Sequence, residues 1–180
     1  MKVIAFAGMP CSGKSEAVEI ASEMSIPVIR MGDMVWEEVK NRGLTLDEKN
    51  VGAIADEMRR DLGMDIWAKR TLKKISENKK SKQIIIDGIR NTEEIDTFKE
   101  NLGKDFLIIA ITASDKTRQK RFLKRGRVDD SLNVQDLKDR DKRELKWGLG
   151  TVIASADIIV PNENGMQEFK GEIKSILKKM

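Results

Sequence analysis

The amino-terminal stretch constrains the fold of this chain more than any other part of its sequence. An apolar run at residues 2–7 is followed at once by residues 8–15, which satisfy the spacing G-x-x-x-x-G-K-[ST]. Glycines in such a loop let the backbone curl until successive N–H groups point inward and form a nest for an anion. Apolar side chains then recur at helical spacing from Ala17 to Met24. The sequence therefore predicts a strand, a phosphate-binding loop and a helix in immediate succession.

This loop contains the residue types that a nucleotide site requires. We expect Lys14 to reach the β and γ phosphates and the Ser15 hydroxyl to bind Mg²⁺. The start of the helix adds the positive end of its dipole. The other residues predicted to line the phosphate site are Gly8, Met9, Pro10, Cys11, Ser12 and Gly13. An ordinary glycine turn with an incidental lysine would not need the flanking strand and helix, so this context favours a nucleotide-binding protein.

The composition fits a single domain with an aliphatic core. The chain has 180 residues, of which 36% are charged and 4% aromatic. Its net charge of +4 suits anionic ligands but is too small by itself to indicate a nucleic-acid partner. The sequence has no histidine and one cysteine, which excludes histidine-based triads, histidine zinc sites and an internal disulfide. No apolar run approaches the length of a membrane span, so we expect no membrane association and a cytoplasmic location.

Strand-like and helix-like segments alternate along the chain, and this alternation predicts a parallel sheet with helices on both faces. The five predicted strands span residues 2–7, 25–30, 83–86, 106–111 and 156–160. Thr45 and Glu48 have the spacing of a helix capping box, and Gly63 is expected to end that helix. No internal repeat or linker divides the chain. We therefore predict one α/β domain over residues 1–180, with the helices of residues 32–78 beside the ligand cleft.

A second group of candidate residues follows the third predicted strand. Asp87-Gly88-Ile89-Arg90 lies where that strand ends, and ligands of open α/β sheets bind at the carboxyl ends of the strands. We expect Asp87 to face Mg²⁺, directly or through water. Gly88 leaves room for a substrate, and Arg90 offers a planar guanidinium that suits an anion. The alternative is an Asp87 that caps a helix beside a surface arginine.

A third group of candidates lies in a basic segment. Residues 116–127 contain seven Lys or Arg and no acidic residue, and Arg118 and Arg121 share one face of the predicted helix. We predict a helical lid over residues 118–143 that closes over a triphosphate. In it, Arg118 would bind the nucleotide, and Arg121 and Arg127 would stabilise the transferring phosphoryl group. The alternative is a solvated basic surface.

These motifs together resemble the P-loop kinases of nucleoside monophosphate kinase type. The sequence is most like the archaeal predicted nucleotide kinases related to dephospho-coenzyme A kinase, and the resemblance covers the whole chain. The segments that carry it are residues 8–15, 32–34, 87–90, 127–130, 140–144 and 156–162. It implies a P-loop NTPase fold with sheet order 2-3-1-4-5, ATP as the phosphoryl donor, and a short lid between Arg125 and Leu132. It also implies that Asn162 belongs to the nucleotide site.

Two departures from adenylate kinases argue against AMP as the acceptor. In those kinases an arginine follows Gly-Asp-Met by two residues, whereas this chain has Trp36 there. Their Asp-Gly-Phe-Pro-Arg is also one residue longer than the segment that ends at Arg90. Dephospho-coenzyme A kinases place an aspartate where Asp33 stands, and the match implies a general base for a sugar hydroxyl. The alternative for Asp33 is a helix cap.

The leading hypothesis is phosphoryl transfer from Mg-ATP to a small-molecule acceptor that Asp33 and Arg90 help to bind. The acceptor would be a nucleotide or a dephospho-coenzyme A-like alcohol. One alternative is a P-loop NTPase that acts as a switch or as an RNA-associated factor, with hydrolysis as its output. Another is a nucleotide-binding module without turnover.

Overall fold

A computed structural model of the chain describes residues 1–78, 80–125 and 133–180. The predicted strands all form, and they lie side by side in one parallel sheet. They are β1 (Lys2–Ala7), β2 (Val28–Arg30), β3 (Gln83–Asp87), β4 (Phe106–Thr112) and β5 (Ile158–Pro161). Their order across the sheet is β2-β3-β1-β4-β5, which confirms the order that the family resemblance implies.

The central strands are apolar without interruption because both faces of the sheet are covered. Side chains of a strand alternate between the two faces. On β3, Ile84 and Ile86 pack into the core on one face and Ile85 into the core on the other, and all three are fully buried. An unbroken run of isoleucine is therefore the expected composition for this position in the sheet.

Helices cover the two faces of the sheet unequally. Those that the structure describes are α1 (Lys14–Glu23), α2 (Met31–Asn41), α3 (Glu48–Leu62), α4 (Ile66–Glu77), α5 (Thr92–Leu102), α6 (Asp115–Arg125), α7 (Val134–Trp147), α8 (Leu149–Ala154) and α9 (Met166–Lys179), with a short 3₁₀ helix at Gly103–Asp105. The core on one face contains side chains of α2 to α5 and α8, and the core on the other contains side chains of α1 and α9. Within the described segments no helix combines the length and the apolar character needed to cross a membrane.

The start of α3 differs from the prediction. Its N-cap is Asp47, whose carboxylate accepts a hydrogen bond from Asn50 N at 2.8 Å. Thr45 lies outside the helix and donates from its hydroxyl to Asp47 Oδ2 at 2.6 Å. The predicted capping box of Thr45 and Glu48 is therefore wrong, because an aspartate closer to the helix satisfies the free N–H. The predicted helix end is confirmed at Gly63.

The two edge strands are displaced relative to the prediction. β2 begins at Val28 rather than at residue 25, because Ser25 has a left-handed φ of 59° and Pro27 has no N–H to donate. β5 begins at Ile158 and extends through Pro161, which an edge strand tolerates. The three inner strands are predicted to within one residue at each end.

Candidate active site

A cleft of about 540 Å³ lies at the edge of the sheet where β1 and β3 end and α1 begins. The predicted site residues that line it are Gly8, Met9, Pro10, Cys11, Gly13, Lys14, Ser15, Arg90, Arg121 and Asn162. Ser12, Asp33, Asp87 and Arg118 are not among its lining residues. Arg127 and the rest of the predicted lid loop lie outside the described residues. The three candidate groups therefore meet at one cleft, although not every predicted residue faces it.

Two glycines of the phosphate loop are required by close packing. Gly13 has a φ of 111°, and a Cβ there would lie 2.1 Å from Asn162 Nδ2. A Cβ on Gly8 would lie 2.5 Å from Ser12 Oγ and 2.6 Å from the carbonyl oxygen of Ile111. These separations are far shorter than ordinary van der Waals contacts. The two glycines of the motif thus allow the loop to pack closely against β4 and the segment after β5.

The amino-terminal end of α1 opens into the cleft. The helix begins at Lys14, its N-cap is Gly13, and no described side chain caps it. The first N–H groups of a helix need partners from outside the helix. An anion in the cleft would supply those partners and would also be stabilised by the helix dipole. Ser15 lies in this first turn and also lines the cleft, as a Mg²⁺-binding hydroxyl of this motif should.

Lys14 and Asp87 form an ion pair beside the loop. Lys14 Nζ donates a hydrogen bond to Asp87 Oδ1, and both side chains are partly exposed. Asp87 is the last residue of β3, as predicted, and Asn91 rather than Asp87 caps α5. The predicted phosphate-binding lysine and the predicted metal-binding carboxylate are therefore neighbours.

Arg121 lies on the cleft wall and holds the phosphate loop from outside. Its Nη1 donates to the carbonyl oxygens of Cys11 at 3.4 Å and Ser12 at 3.0 Å. Its Nη2 donates to Asn162 O at 2.7 Å and to Asn162 Oδ1 at 3.1 Å. Asn162 Nδ2 in turn donates to Ser12 O at 2.9 Å. Arg121 and Asn162 thus form a bonded pair that contacts the backbone of the loop.

Arg118 is buried behind the same loop. Its Nη1 donates to Pro10 O at 3.1 Å, and its guanidinium makes a two-pronged ion pair with Asp141 at 2.8 and 2.7 Å. Asp115 accepts a further hydrogen bond from Nη2. Burial by itself would lower the pKa of Arg118, but the hydrogen bonds to the two carboxylates outweigh it and raise the pKa. The guanidinium of this predicted nucleotide-binding residue therefore contacts protein oxygens, and it does not line the cleft.

Arg90 lines the cleft and contacts two side chains of α7. Its Nε is 3.1 Å from Glu144 Oε2, and Glu144 also lines the cleft. Its Cζ lies 5.0 Å from the centroid of the Trp147 ring, within the range of a cation–π contact. Glu144 belongs to a segment that the family resemblance included, whereas nothing in the local sequence distinguishes Trp147. Sequence reasoning missed both residues as partners of Arg90.

A buried carboxylate supports the turn that presents Arg90. Glu94 Oε2 accepts a hydrogen bond from Arg90 N at 2.8 Å, and Glu94 Oε1 accepts one from Arg59 Nη2 at 3.3 Å. Burial raises the pKa of Glu94, against the opposing charge of Arg59. The backbone of residues 87–90 is therefore anchored to both α5 and α3. Neither Glu94 nor Arg59 was predicted to support this turn, because contacts between distant helices leave no local signal.

The structure does not bring Asp33 into the cleft. This residue is exposed in the first turn of α2 and lines a separate depression with Lys74 and Asn78. Its side chain does not cap α2. The assignment of Asp33 as a general base stays a prediction. Its position outside the cleft does not bring its carboxylate next to an acceptor bound in the cleft.

An Asp33→Asn variant tests that assignment. Because the carboxylate lies outside the cleft, we expect kcat and ATP affinity to stay close to those of the parent protein. Glu37→Gln is the matched control, since Glu37 is a second carboxylate of α2 that lines the same depression. Turnover should be measured on the acceptor that the protein accepts. A fall in kcat of about 10² to 10⁴ in the Asp33 variant alone would establish the base instead.

Comparisons with known proteins agree with this geometry. A family model described as an AAA domain matches residues 7–138. A UPF0200 protein from Methanosarcina barkeri is 43% identical over 98% of this chain and 95% of its own length. The chain belongs to the UPF0200 family. The predicted relationship to archaeal proteins of the P-loop kinase type is thereby confirmed.

Solved structures share the fold of this UPF0200 chain. Dephospho-CoA kinase from Campylobacter jejuni superposes with a TM-score of 0.59 at 18% identity, covering 99% of this chain and 97% of that one. Shikimate kinase from Bacteroides thetaiotaomicron gives a TM-score of 0.62 at 11% identity, again covering 99% and 97%. At these identities the likeness concerns the fold alone. It confirms the predicted P-loop NTPase architecture of the UPF0200 chain.

Proposed function

We propose that this UPF0200 protein transfers a phosphoryl group from Mg-ATP to a small-molecule acceptor. One observation carries the proposal. Lys14 of the phosphate loop is paired with Asp87 of the neighbouring strand at a cleft that Arg90 and Arg121 also line. This arrangement puts a phosphate nest, a potential metal-binding carboxylate and two guanidinium groups within one site.

In this proposal the phosphates occupy the nest and the first turn of α1. Lys14 and Arg121 would neutralise the charge of the transferring group, which is the main contribution a protein makes to phosphoryl transfer. We propose the same role for Arg127. The adenosine would extend toward Asn162 and Met166, which line the cleft on the side of α9. Arg118 would act through the loop, since it does not line the cleft and its described hydrogen bonds go to protein oxygens.

The residues present suit Mg²⁺. Ser15 offers a hydroxyl and Asp87 a carboxylate, both oxygen ligands of the kind that this ion prefers. Within the described residues no cluster of three or more His, Cys, Asp or Glu could hold a metal ion by itself. Magnesium in kinases is commonly held by one or two protein groups together with the phosphates, which matches such a sparse site. When bound, it would neutralise phosphate charge in the reaction.

The acceptor would bind at the Arg90 end of the cleft. Arg90 is partly exposed and carries a single described carboxylate partner, Glu144, so an anionic or hydroxyl-rich acceptor could bind beside it. Both solved structures with this fold reported above are kinases of small molecules, dephospho-CoA and shikimate, which supports an acceptor of that size. The acceptor is therefore proposed as a small metabolite rather than a protein.

An acceptor panel tests this function. Purified protein with Mg-ATP should release ADP at many turnovers per protein with one member of a set that contains AMP, CMP, UMP, GMP, dephospho-coenzyme A and shikimate. The Lys14→Ala protein, purified in parallel, serves as the blank for contaminating kinases. ADP release that needs no acceptor, or that RNA stimulates, would support the hydrolytic NTPase instead. ATP binding without any release of ADP would support a binding module.

A further inference from the structure

Three consecutive carbonyl groups of the phosphate loop are held by side chains from outside the loop. Pro10 O accepts from Arg118 at 3.1 Å, and Cys11 O accepts from Arg121 at 3.4 Å. Ser12 O accepts from Arg121 at 3.0 Å and from Asn162 at 2.9 Å. These contacts form what we name the carbonyl brace: the donors Arg118, Arg121 and Asn162 together with the carbonyls that they bind.

The brace determines where the loop's N–H groups point. A trans peptide unit is planar, so its C=O and the N–H of the next residue point in opposite directions. Holding Pro10 O on the α6 side therefore directs the N–H of Cys11 the other way, and holding Ser12 O does the same for Gly13. A nest binds an anion only while its N–H groups converge.

The loop needs such support because its conformation is unfavourable in isolation. Cys11 has a φ of 62°, which is uncommon for a residue with a side chain and costs free energy unless the surroundings stabilise it. Cys11 lies between Pro10 and Ser12, whose carbonyls are both held. The brace thus acts on both peptide units that adjoin the strained residue, through Pro10 O and Cys11 O, and on the following unit through Ser12 O.

Arg118 is itself fixed by Asp141. Arg118 is only 4% exposed, it does not line the cleft, and Asp141 of α7 binds its guanidinium with both carboxylate oxygens. Two parallel hydrogen bonds set the plane of a guanidinium, which a single bond does not. The plane set by Asp141 is the one in which Nη1 also reaches Pro10 O.

We propose that Arg118 and Asp141 are positioning residues of the phosphate loop. Asp141 orients Arg118, Arg118 holds the carbonyl of Pro10, and the loop keeps its anion-binding shape before any nucleotide arrives. The proposal deepens the proposed kinase function and rests on it for its consequence, whereas the brace itself consists of contacts within the protein. It gives Asp141 an influence on nucleotide affinity although Asp141 does not line the cleft.

The single thiol of the chain reports on the loop without any ligand. Cys11 is half-buried and is the only cysteine, so its reaction rate with 5,5′-dithiobis(2-nitrobenzoate) measures how accessible this residue of the loop is. Arg118→Lys keeps the charge but cannot bind Asp141 at two points and Pro10 at once. We expect it to speed the reaction about tenfold, as the loss of a hydrogen bond to a charged group implies.

Arg59→Lys is the matched control for this measurement. Arg59 is 5% exposed and paired with a carboxylate, but it belongs to α3 and none of its described contacts reaches the loop. Its variant should leave the Cys11 rate unchanged. An Arg118→Lys rate within twofold of the parent, or an equal acceleration in both variants, would overturn the proposal. None of these outcomes depends on whether the protein is a kinase.

A second variant keeps the proposal testable if Arg118→Lys does not fold. Asp141→Asn should weaken ADP binding by about tenfold, measured by calorimetry, and should leave adenosine binding unchanged, because only the phosphates use the nest. Asp139→Asn is its control, since Asp139 lies on the same helix in an exposed pair with Lys142. Unchanged ADP affinity in a folded Asp141→Asn protein would also overturn the proposal. Failure of the parent to bind ADP would instead refute the proposed function.

Discussion

Replacing Lys14 by alanine should abolish tight binding of ATP and with it all turnover. A charge contact near 4 Å is worth about 4 kcal/mol at an effective dielectric of about 20, an upper value because water partly replaces the ammonium. That free energy corresponds to at most about 10³ in dissociation constant. Calorimetric titration with Mg-ATP measures the change.

Lys124→Ala is the control for this prediction. Lys124 lines the same cleft but lies on α6, outside the phosphate loop. The Lys124→Ala substitution removes one positive charge from the cleft but leaves the phosphate-loop motif intact. Its effect on ATP affinity should therefore be much smaller than that of Lys14→Ala. Equal effects of the two substitutions would mean that the cleft attracts nucleotides by its charge alone, and an unchanged affinity in Lys14→Ala would refute the site.

Asp87→Asn should lower magnesium-dependent turnover much more than it lowers ATP binding. The amide keeps the shape of the side chain but loses the charge that would hold the metal. We expect a fall of about 10² to 10³ in kcat, the usual cost of removing one electrostatic contact to a transition state. The magnesium concentration needed for half-maximal rate should rise at the same time.

The opposite edge of the sheet offers a matched control. Asp105 pairs with Lys2 at 3.4 Å beside the start of β4, as Asp87 pairs with Lys14 at the end of β3. Asp105→Asn removes a carboxylate from a lysine pair without touching the cleft, and turnover should be unaffected. If the Asp87 variant keeps the parent rate and metal dependence, its carboxylate serves only as the partner of Lys14.

The structural elements predicted best are those that a short stretch of sequence determines without contacts from elsewhere in the chain. The phosphate loop needs eight consecutive residues, and its flanking strand and helix follow from local patterns of apolar residues. Sheet order came from the family resemblance, and the structure agrees with it. The start of α3 was missed because Thr45 and Asp47 compete for one helix terminus, and proximity decided in favour of Asp47.

The contacts predicted worst are those between distant segments. Arg118 and Asp141 are separated by 23 positions, and their pairing depends on how α6 packs on α7. From the sequence, an arginine in a basic segment suggests a phosphate contact, because Asp141, the carboxylate that binds it at two points, is on another helix. The same applies to Arg90, whose partners Glu144 and Trp147 come from α7. Side-chain partners across helices require the packed structure.

In the proposed function, the ion pair between Lys14 and Asp87 should make the affinities for metal and nucleotide depend on each other. ATP that arrives without magnesium must compete with Asp87 for Lys14 and then face an unneutralised carboxylate. A cation beside Asp87 reverses that repulsion, so each ligand should raise the affinity for the other by the same factor. ATP affinity should therefore increase more on addition of magnesium in the parent than in Asp87→Asn, and an equal increase would contradict this linkage. If the protein has the proposed function, this linkage would make it discriminate against free ATP and accept the metal complex as its ligand.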